Sequence, residues 1–466
     1  MKNILKNPKT ERILYKLSYL ALGAAIFALH ALARPNFSDD SWFASKLNEY
    51  TLPGYLIWRY THWTSRLILE SFLVILAHGH FLIWCAADTF VLLLLAASVR
   101  ELLGMEKKAQ NVFLTALLFG FVPAGILYSA GWIATSTNYC WPMAFAVYGI
   151  LPISRFIRGE PIRKPEYITF TMAVILAANQ EQTAALLCGL YIVTLVWRKK
   201  YMKNEGNVSG ENRAAFRYLI FLTCLIFLSL LFIAACPGNA FRNTEEIRKW
   251  FPQYSKYSVF QRVDMGFLST MSYYTAGIGN QMILPVFTGI LAWSVWVRKT
   301  DIREKIFSVI PFAAVTFAGF PVRYSVKEGL IWHPSFYYDL IANVYLSGSP
   351  QCNYALWQVT LENICFLGLL VWIGILLYQI SDTWMECAVM NTALAAGLCS
   401  RWMVGLSPTV YASGYRTTLF CTTILQILEL HMIQKLSGKK MRRVLYILLI
   451  FLLAVTVWFE SDGKTY

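Results

Sequence analysis

The chain has 466 residues, of which 57% are hydrophobic, 15% aromatic and only 14% charged, and its mean hydropathy is +0.48. A soluble globular domain averages about 25% charged residues, so the composition excludes one and calls for an all-α polytopic membrane protein. The formal charge of +15 would suit a nucleic-acid partner, but Lys and Arg lie mostly in short loops between apolar runs and no basic domain exists to hold one.

A membrane-crossing helix needs roughly 20 apolar residues. Runs of that kind fall at 13–33, 80–99, 111–130, 139–157, 166–179, 183–197, 216–235, 281–297, 306–320, 357–380, 386–405, 416–433 and 444–459, thirteen in all. The first has no convincing cleavage site and reads as a retained span. The pair at 166–179 and 183–197 is short enough to form one broken hairpin. Connecting segments alternate in charge. A basic set comprises 2–16, 100–108, 155–164, 198–217, 298–305 and 435–443; an aromatic, mixed set comprises 34–79, 131–138, 236–280, 321–356 and 406–415. Only the nearly neutral 381–383 breaks the pattern. Because basic loops stay in the cytoplasm, the N-terminus is expected inside and residues 461–466 outside.

The segment 62–77 does not fit a span, since counting it would throw Arg100, Lys107 and Lys108 outside. Arg66 and Glu70 stand at i,i+4 beside an apolar stripe, so it reads as an amphipathic helix in the outer interface, with Gly79 as the corner into the next span. A shorter interfacial helix is expected over 41–50, stopped by Pro53-Gly54. No internal repeat points to an inverted-repeat transporter, and the outer loops 236–280 and 321–356 are too short for a soluble domain. The expectation is one membrane unit over 1–466, with an N-terminal module at 1–235 and a variable part at 236–466. Ten cysteines show no CxxC and no Cys/His cluster, so no metal site is expected. Cys140, Cys236 and Cys352 fall near outer ends, where only geometry decides on a disulfide.

Chemistry-bearing residues gather on the outer side. Asp39 and Asp40 follow the first span; Ser38 or Asp39 can cap a helix, but two carboxylates exceed what a cap needs, and like charges side by side raise a pKa toward that of a general base. Trp58 to Arg66 mixes aromatics with Arg59 and Arg66, which either snorkel to lipid head groups or hold phosphate. Cys236-Pro237-Gly238-Asn239 reads as a stop and turn, leaving Arg242 over. Glu181, Arg401 and Arg416 lie at outer span ends and need partners at that depth; Asp88 and Glu362 read as interhelical glue or as lying near the interface. Aromatics stack on sugars, arginines hold phosphate and a carboxylate can deprotonate a hydroxyl. No G-x-S-x-G, P-loop or HExxH accompanies them.

An N-terminal span, an outer loop with Asp39-Asp40, two interfacial helices and a return span, covering about 13–99, resemble the GT-C superfamily of integral-membrane glycosyltransferases. Asn138 to Pro142, Pro237-Gly238-Asn239 with Arg242, and Ser407-Pro408 with Arg416 resemble an uncharacterised bacterial GT-C-like family. The resemblance implies a GT-C-like fold in a bacterial plasma (inner) membrane, a polyprenyl-phosphate sugar donor, and an outer-loop acid, Asp39 or Asp40, as base. No cofactor is expected, and a divalent metal is not required. The large soluble C-terminal domain of the oligosaccharyltransferase branch is missing, which favours a glycan or lipid-linked acceptor. Arg66, Arg242 and Arg416 are the candidate donor-phosphate ligands, and Trp63, Trp141, Glu181 and Asn239 the candidate substrate contacts. The other readings are a polysaccharide polymerase or ligase, and a flippase or transporter of lipid-linked saccharide.

Overall fold

The computed structural model describes residues 8–32, 38–123, 125–126, 129–202, 210–275, 282–318, 357–436 and 439–461. Among them the regular elements are all helical and there is no strand. Among the described residues five helices are long and apolar enough to cross a membrane: Pro8–Leu32, Phe81–Leu102, Trp132–Arg158, Arg213–Ala234 and Val359–Ile380. The chain packs as two compact units, one of Met1–Ala116 with Leu127–Thr244, the other of Leu117–Ile126 with Glu245–Tyr466.

In the first unit, α1 is Pro8–Leu32, α2 Asp39–Glu49, α3 Leu52–His62, α4 Leu67–Ala77 and α5 Phe81–Leu102; α6, Ala109–Phe119, leads out of it. Three expectations change here. Pro53-Gly54 starts a helix instead of stopping one: Pro53 occupies the first turn of α3, and Thr51 caps it by accepting from the Gly54 amide at 3.4 Å. Proline suits that position because its missing N–H would have no helical partner. The helix read over 62–77 is two pieces, since α3 ends at His62 and α4 begins only at Leu67. The apolar run 111–130 is not one helix, because α6 stops at Phe119 just before Gly120.

Helix α7, Trp132–Arg158, begins inside the segment expected as the loop 131–138. Gly131 enters it at φ 96°, a conformation glycine adopts without strain. Its second turn, Ser136–Cys140, is a π-turn, which loosens the helix where Pro142 removes a donor. Then follow α8 (Lys164–Ala178), α9 (Glu181–Met202), α10 (Gly210–Ala234) and α11 (Pro237–Trp250). The doubtful pair at 166–179 and 183–197 is thus two helices, broken at Asn179-Gln180. Phe170, Val174, Tyr191, Leu219 and Ile226 join α8, α9 and α10 to α7 in one core.

The two sets of loops meet separately. At one end Arg155 takes Glu101 and Glu166, each at 2.5 Å, joining loops of the basic set. At the other, the mixed segments 34–79 and 236–280 meet, the Cys236 thiol donating to the Tyr60 carbonyl at 3.1 Å, and the Leu69 amide donates to Asn179 Oδ1, at the end of the run 166–179, at 3.0 Å.

The second unit contains α12 (Val259–Thr275), α13 (Ile283–Arg298), α14 (Ile302–Ala313), α15 (Trp357–Ile380), α16 (Trp384–Trp402), α17 (Leu419–Lys435) and α18 (Lys439–Ser461). Backbones touch where α12 crosses the end of α16: a Cβ on Gly266 would lie 2.0 Å from the Trp402 carbonyl oxygen. The loop 381–383, the exception to the charge pattern, sits with the basic set, because Asp382 pairs with Arg298 at 2.8 Å and Lys435 at 2.7 Å.

Candidate functional site

The candidate residues of the first unit cluster where α2, α3, α4 and the start of α7 pack on one another. Asp39 and Asp40 open α2 and part company at once: Asp39 is exposed and Asp40 fully buried. Ser38, at the N-cap position, makes no side-chain cap. Asp40 instead caps a different helix. Its Oδ2 accepts from the Ile133 amide at 3.1 Å and its Oδ1 from the Ala134 amide at 2.8 Å. These are the second and third residues of α7, whose own N-cap, Gly131, has no side chain to offer them. Burial raises the Asp40 carboxyl from its ordinary 3.8 to about 6, against the pull of the amides. The neighbouring Asp39 contributes least, so the like-charge cause expected from the sequence is a minor one.

Arg66 and Glu70 do not pair with each other. Glu70 is buried against Arg59, with Nη2 to Oε1 at 2.8 Å and Nε to Oε2 at 3.0 Å, and it also accepts from the Tyr55 phenol at 2.7 Å. Arg59 therefore neither snorkels nor stands open to a phosphate. Its guanidinium also faces the rings of Trp42 at 5.3 Å and Trp63 at 5.8 Å.

Arg66 reaches Glu181 instead, with Nε at 2.7 Å and Nη2 at 2.5 Å from the same oxygen, Oε2, and it lies 5.8 Å from the Tyr139 ring. Glu181 Oε1 is buried without a hydrogen-bond partner. Burial pushes the Glu181 carboxyl up, but Arg66 and then Arg242 bring it below its ordinary value. The Arg66 guanidinium is likewise held charged, burial being outweighed by Glu181 and Tyr139. Of the sequence candidates, Arg66 and Glu181 thus pair directly, and Arg242 acts electrostatically on the same carboxylate.

The remaining candidates divide. Trp63 ends α3, and its backbone amide lies 2.4 Å from where a Gly238 Cβ would stand, so the first turn of α11 rests directly on it. Asn239 donates to the Ile233 carbonyl at 2.7 Å, tying off α10, while its Oδ1 is buried without a hydrogen-bond partner. Trp141 is buried, and its indole donates to Asp88 Oδ1 at 2.6 Å, so it faces the protein interior and not an outer sugar. Asp88 Oδ2 lies 2.8 Å from His30 Nε2, linking α1, α5 and α7 as the interhelical glue expected of it. Arg416 belongs to the second unit, in the turn Gly414–Thr418. Cys140 and Cys236 are free thiols; Cys352 lies outside the described residues. Among the described residues no group of three or more His, Cys, Asp or Glu is placed to hold a metal ion.

Sequence reading missed the Arg59–Glu70 pair and the capping role of Asp40. Their only signals were a glycine at the start of a helix and two arginines competing for one nearby acid. No protein-family model, curated protein or solved structure matches the chain.

Proposed function

We propose that the protein is a membrane glycosyltransferase of GT-C type, with about 13 spans, acting on the extracytoplasmic face of a bacterial plasma membrane. It moves a sugar from a polyprenyl-phosphate donor to a glycan or lipid-linked acceptor. The observation that supports this best is Arg66 paired with Glu181, a carboxylate on which Arg242 also acts and whose Oε1 is buried without a hydrogen-bond partner, in the unit where α2 begins with an exposed aspartate. Such a group can hold a lipid phosphate in the ground state and stabilise the second charge that develops as the phosphate leaves.

In this mechanism Asp39 accepts the proton of the acceptor hydroxyl. The oxygen attacks the anomeric carbon from the face opposite the phosphate, the C–O bond to the phosphate breaks, and the configuration inverts. Asp40 keeps α7 capped and so positions Tyr139 and Arg66. Binding of polyprenyl phosphate to purified protein, followed by sugar transfer from a panel of labelled polyprenyl-phosphate sugars, tests the reading. Donor binding that needs Arg66 and Arg242, with transfer that needs Asp39, is expected. Neither binding nor turnover of any donor in the panel refutes it.

A transport reading draws on one different observation, the His30–Asp88 pair buried between α1 and α5, because intramembrane ionisable pairs often serve proton-coupled movement. Saccharide flux that depends on a proton gradient and is abolished by Asp88→Asn would favour it over transfer.

A further inference from the structure

Arg401 of the second unit is wholly buried at the end of α16. Among the described residues no carboxylate pairs with it. Its Nη2 donates to Ser269 Oγ at 2.8 Å and to the Val410 carbonyl at 3.1 Å, while Nε and Nη1 find no hydrogen-bond acceptor. The guanidinium lies over the ring of Tyr273 at 4.8 Å, and Tyr273 packs in turn on Tyr415 at 4.9 Å, so aromatic faces wall one side. Arg416 follows Tyr415 in the chain and adds a second cation to that turn.

A guanidinium stays ionised in protein interiors, so this one cannot shed its charge as a buried Lys would. Orientation on an aromatic face and two neutral acceptors offset only part of the desolvation cost of an unpaired buried ion. Two other arginines in the same protein meet that cost with carboxylates: Arg59 has Glu70 and Arg155 has Glu101 and Glu166. Arg401 differs from both in having charge and donors left over. Unmet buried donors are rare enough in native proteins to ask for a cause.

We propose that Arg401, walled by Tyr273 and steadied by Ser269, is a phosphate-binding site, taking a phosphate monoester group through Nε and Nη1. It is independent of the Arg66–Glu181–Arg242 group and of the transferase reading. The phosphate can belong to a lipid head group or to a free anion, and the experiment separates these sources. Full-length protein is purified in detergent and its thermal unfolding followed with inorganic phosphate against chloride at equal ionic strength. The same measurement is made in nanodiscs of phosphatidic acid against phosphatidylcholine. A stabilisation by free phosphate assigns a soluble anion; one seen only with phosphatidic acid assigns the head group.

In either case the effect should survive in the R66Q/R242Q protein and be lost in R401Q, with apparent affinity reduced about ten-fold or more. R401K keeps the charge without the planar donors. It should also bind more weakly while the protein stays folded, which decides the matter if R401Q does not fold. No phosphate-specific stabilisation from either source, or wild-type binding by R401Q and R401K, overturns the proposal.

Discussion

Asp39→Asn and Asp40→Asn should fail in different ways. Asp39 is exposed, so its replacement should change stability by only about 0.5 kcal/mol. If it is the general base, transfer should fall by ~10²–10⁴-fold with donor binding kept. Asp40 is a stability residue with a pH signature. Its carboxyl rises from 3.8 to about 6 on folding, roughly two units, so burying the charge costs about 3 kcal/mol at neutral pH. The sign follows from the raised value: the protonated acid favours the folded state, its stabilisation is complete below pH 3.8, and it is lost as the pH rises through about 6.

Asn carries no charge, but it can serve only one of the two α7 amides with its oxygen, leaving the other unmet at about 1–3 kcal/mol. At pH 7 these effects nearly cancel, and Asp40→Asn should unfold close to the wild type. Between pH 7 and pH 4 the wild type should gain on the variant by up to about 3 kcal/mol. Thermal unfolding of both proteins in the same detergent, at one scan rate and across that range, reads the difference and removes the titration of other groups. A wild-type-minus-variant gap that does not move with pH would refute the capping argument. Full transfer by Asp39→Asn would refute the division of labour.

The other expected outcomes follow from close contacts. Arg59→Gln breaks a buried bidentate pair and should cost about 3–5 kcal/mol, whereas Arg59→Met with Glu70→Leu together should cost much less, as unfolding in detergent would measure. Gly238→Ala drives a methyl into the Trp63 amide and the Tyr60 carbonyl, and should destabilise by about 1–3 kcal/mol or more; Gly189→Ala, with nothing within 4 Å, should be neutral or better. Arg242→Ala should weaken polyprenyl-phosphate binding by about 1.5–3 kcal/mol, and Arg242→Lys should restore only part of it, as direct binding to purified protein would show. Cysteine labelling in intact cells should reach position 249 and not position 158; labelling at 158 without permeabilisation would invert the proposed topology.

Helix positions were legible because apolar runs and charge alternation are local, repeated signals. The loop 381–383, the exception to the charge pattern, carries Asp382, which pairs with Arg298 and Lys435. Boundaries were less legible where one residue carries two meanings. Pro53 signals a stop or a first turn equally well, and only Thr51 accepting from Gly54 settles which. Ion-pair partners were least legible. An i,i+4 pair such as Arg66 with Glu70 offers only about 0.2–0.5 kcal/mol on an exposed helix. Fold-level contacts that bury the acid against Arg59 and bring Glu181 to Arg66 are therefore free to override it. The nearby acid Glu70 and the acid that Arg66 in fact pairs with, Glu181, lie 4 and 115 residues away in sequence, and nothing local favours the second.

The adjacency of Asp39 and Asp40 carries a further consequence. Successive residues on a helix point about 100° apart, so a pair at the first turn of a surface helix cannot face the same way. One turns inward to the start of α7, where Gly131 leaves two amides uncapped, and the other turns out to the surface. The pair thus joins a structural clamp and a solvent-facing carboxylate on one rigid turn. In the proposed transfer, a base held this way needs no wide excursion of its own loop, because the residue beside it is fixed by two hydrogen bonds to a 27-residue helix. Loosening that clamp should broaden the positions Asp39 samples. On this argument Asp40→Asn lowers transfer by misplacing Asp39, and the loss should shrink in variants of the 51–54 turn that tighten α3 against α2. Equal losses with and without such tightening would mean that Asp40 acts on the substrate directly.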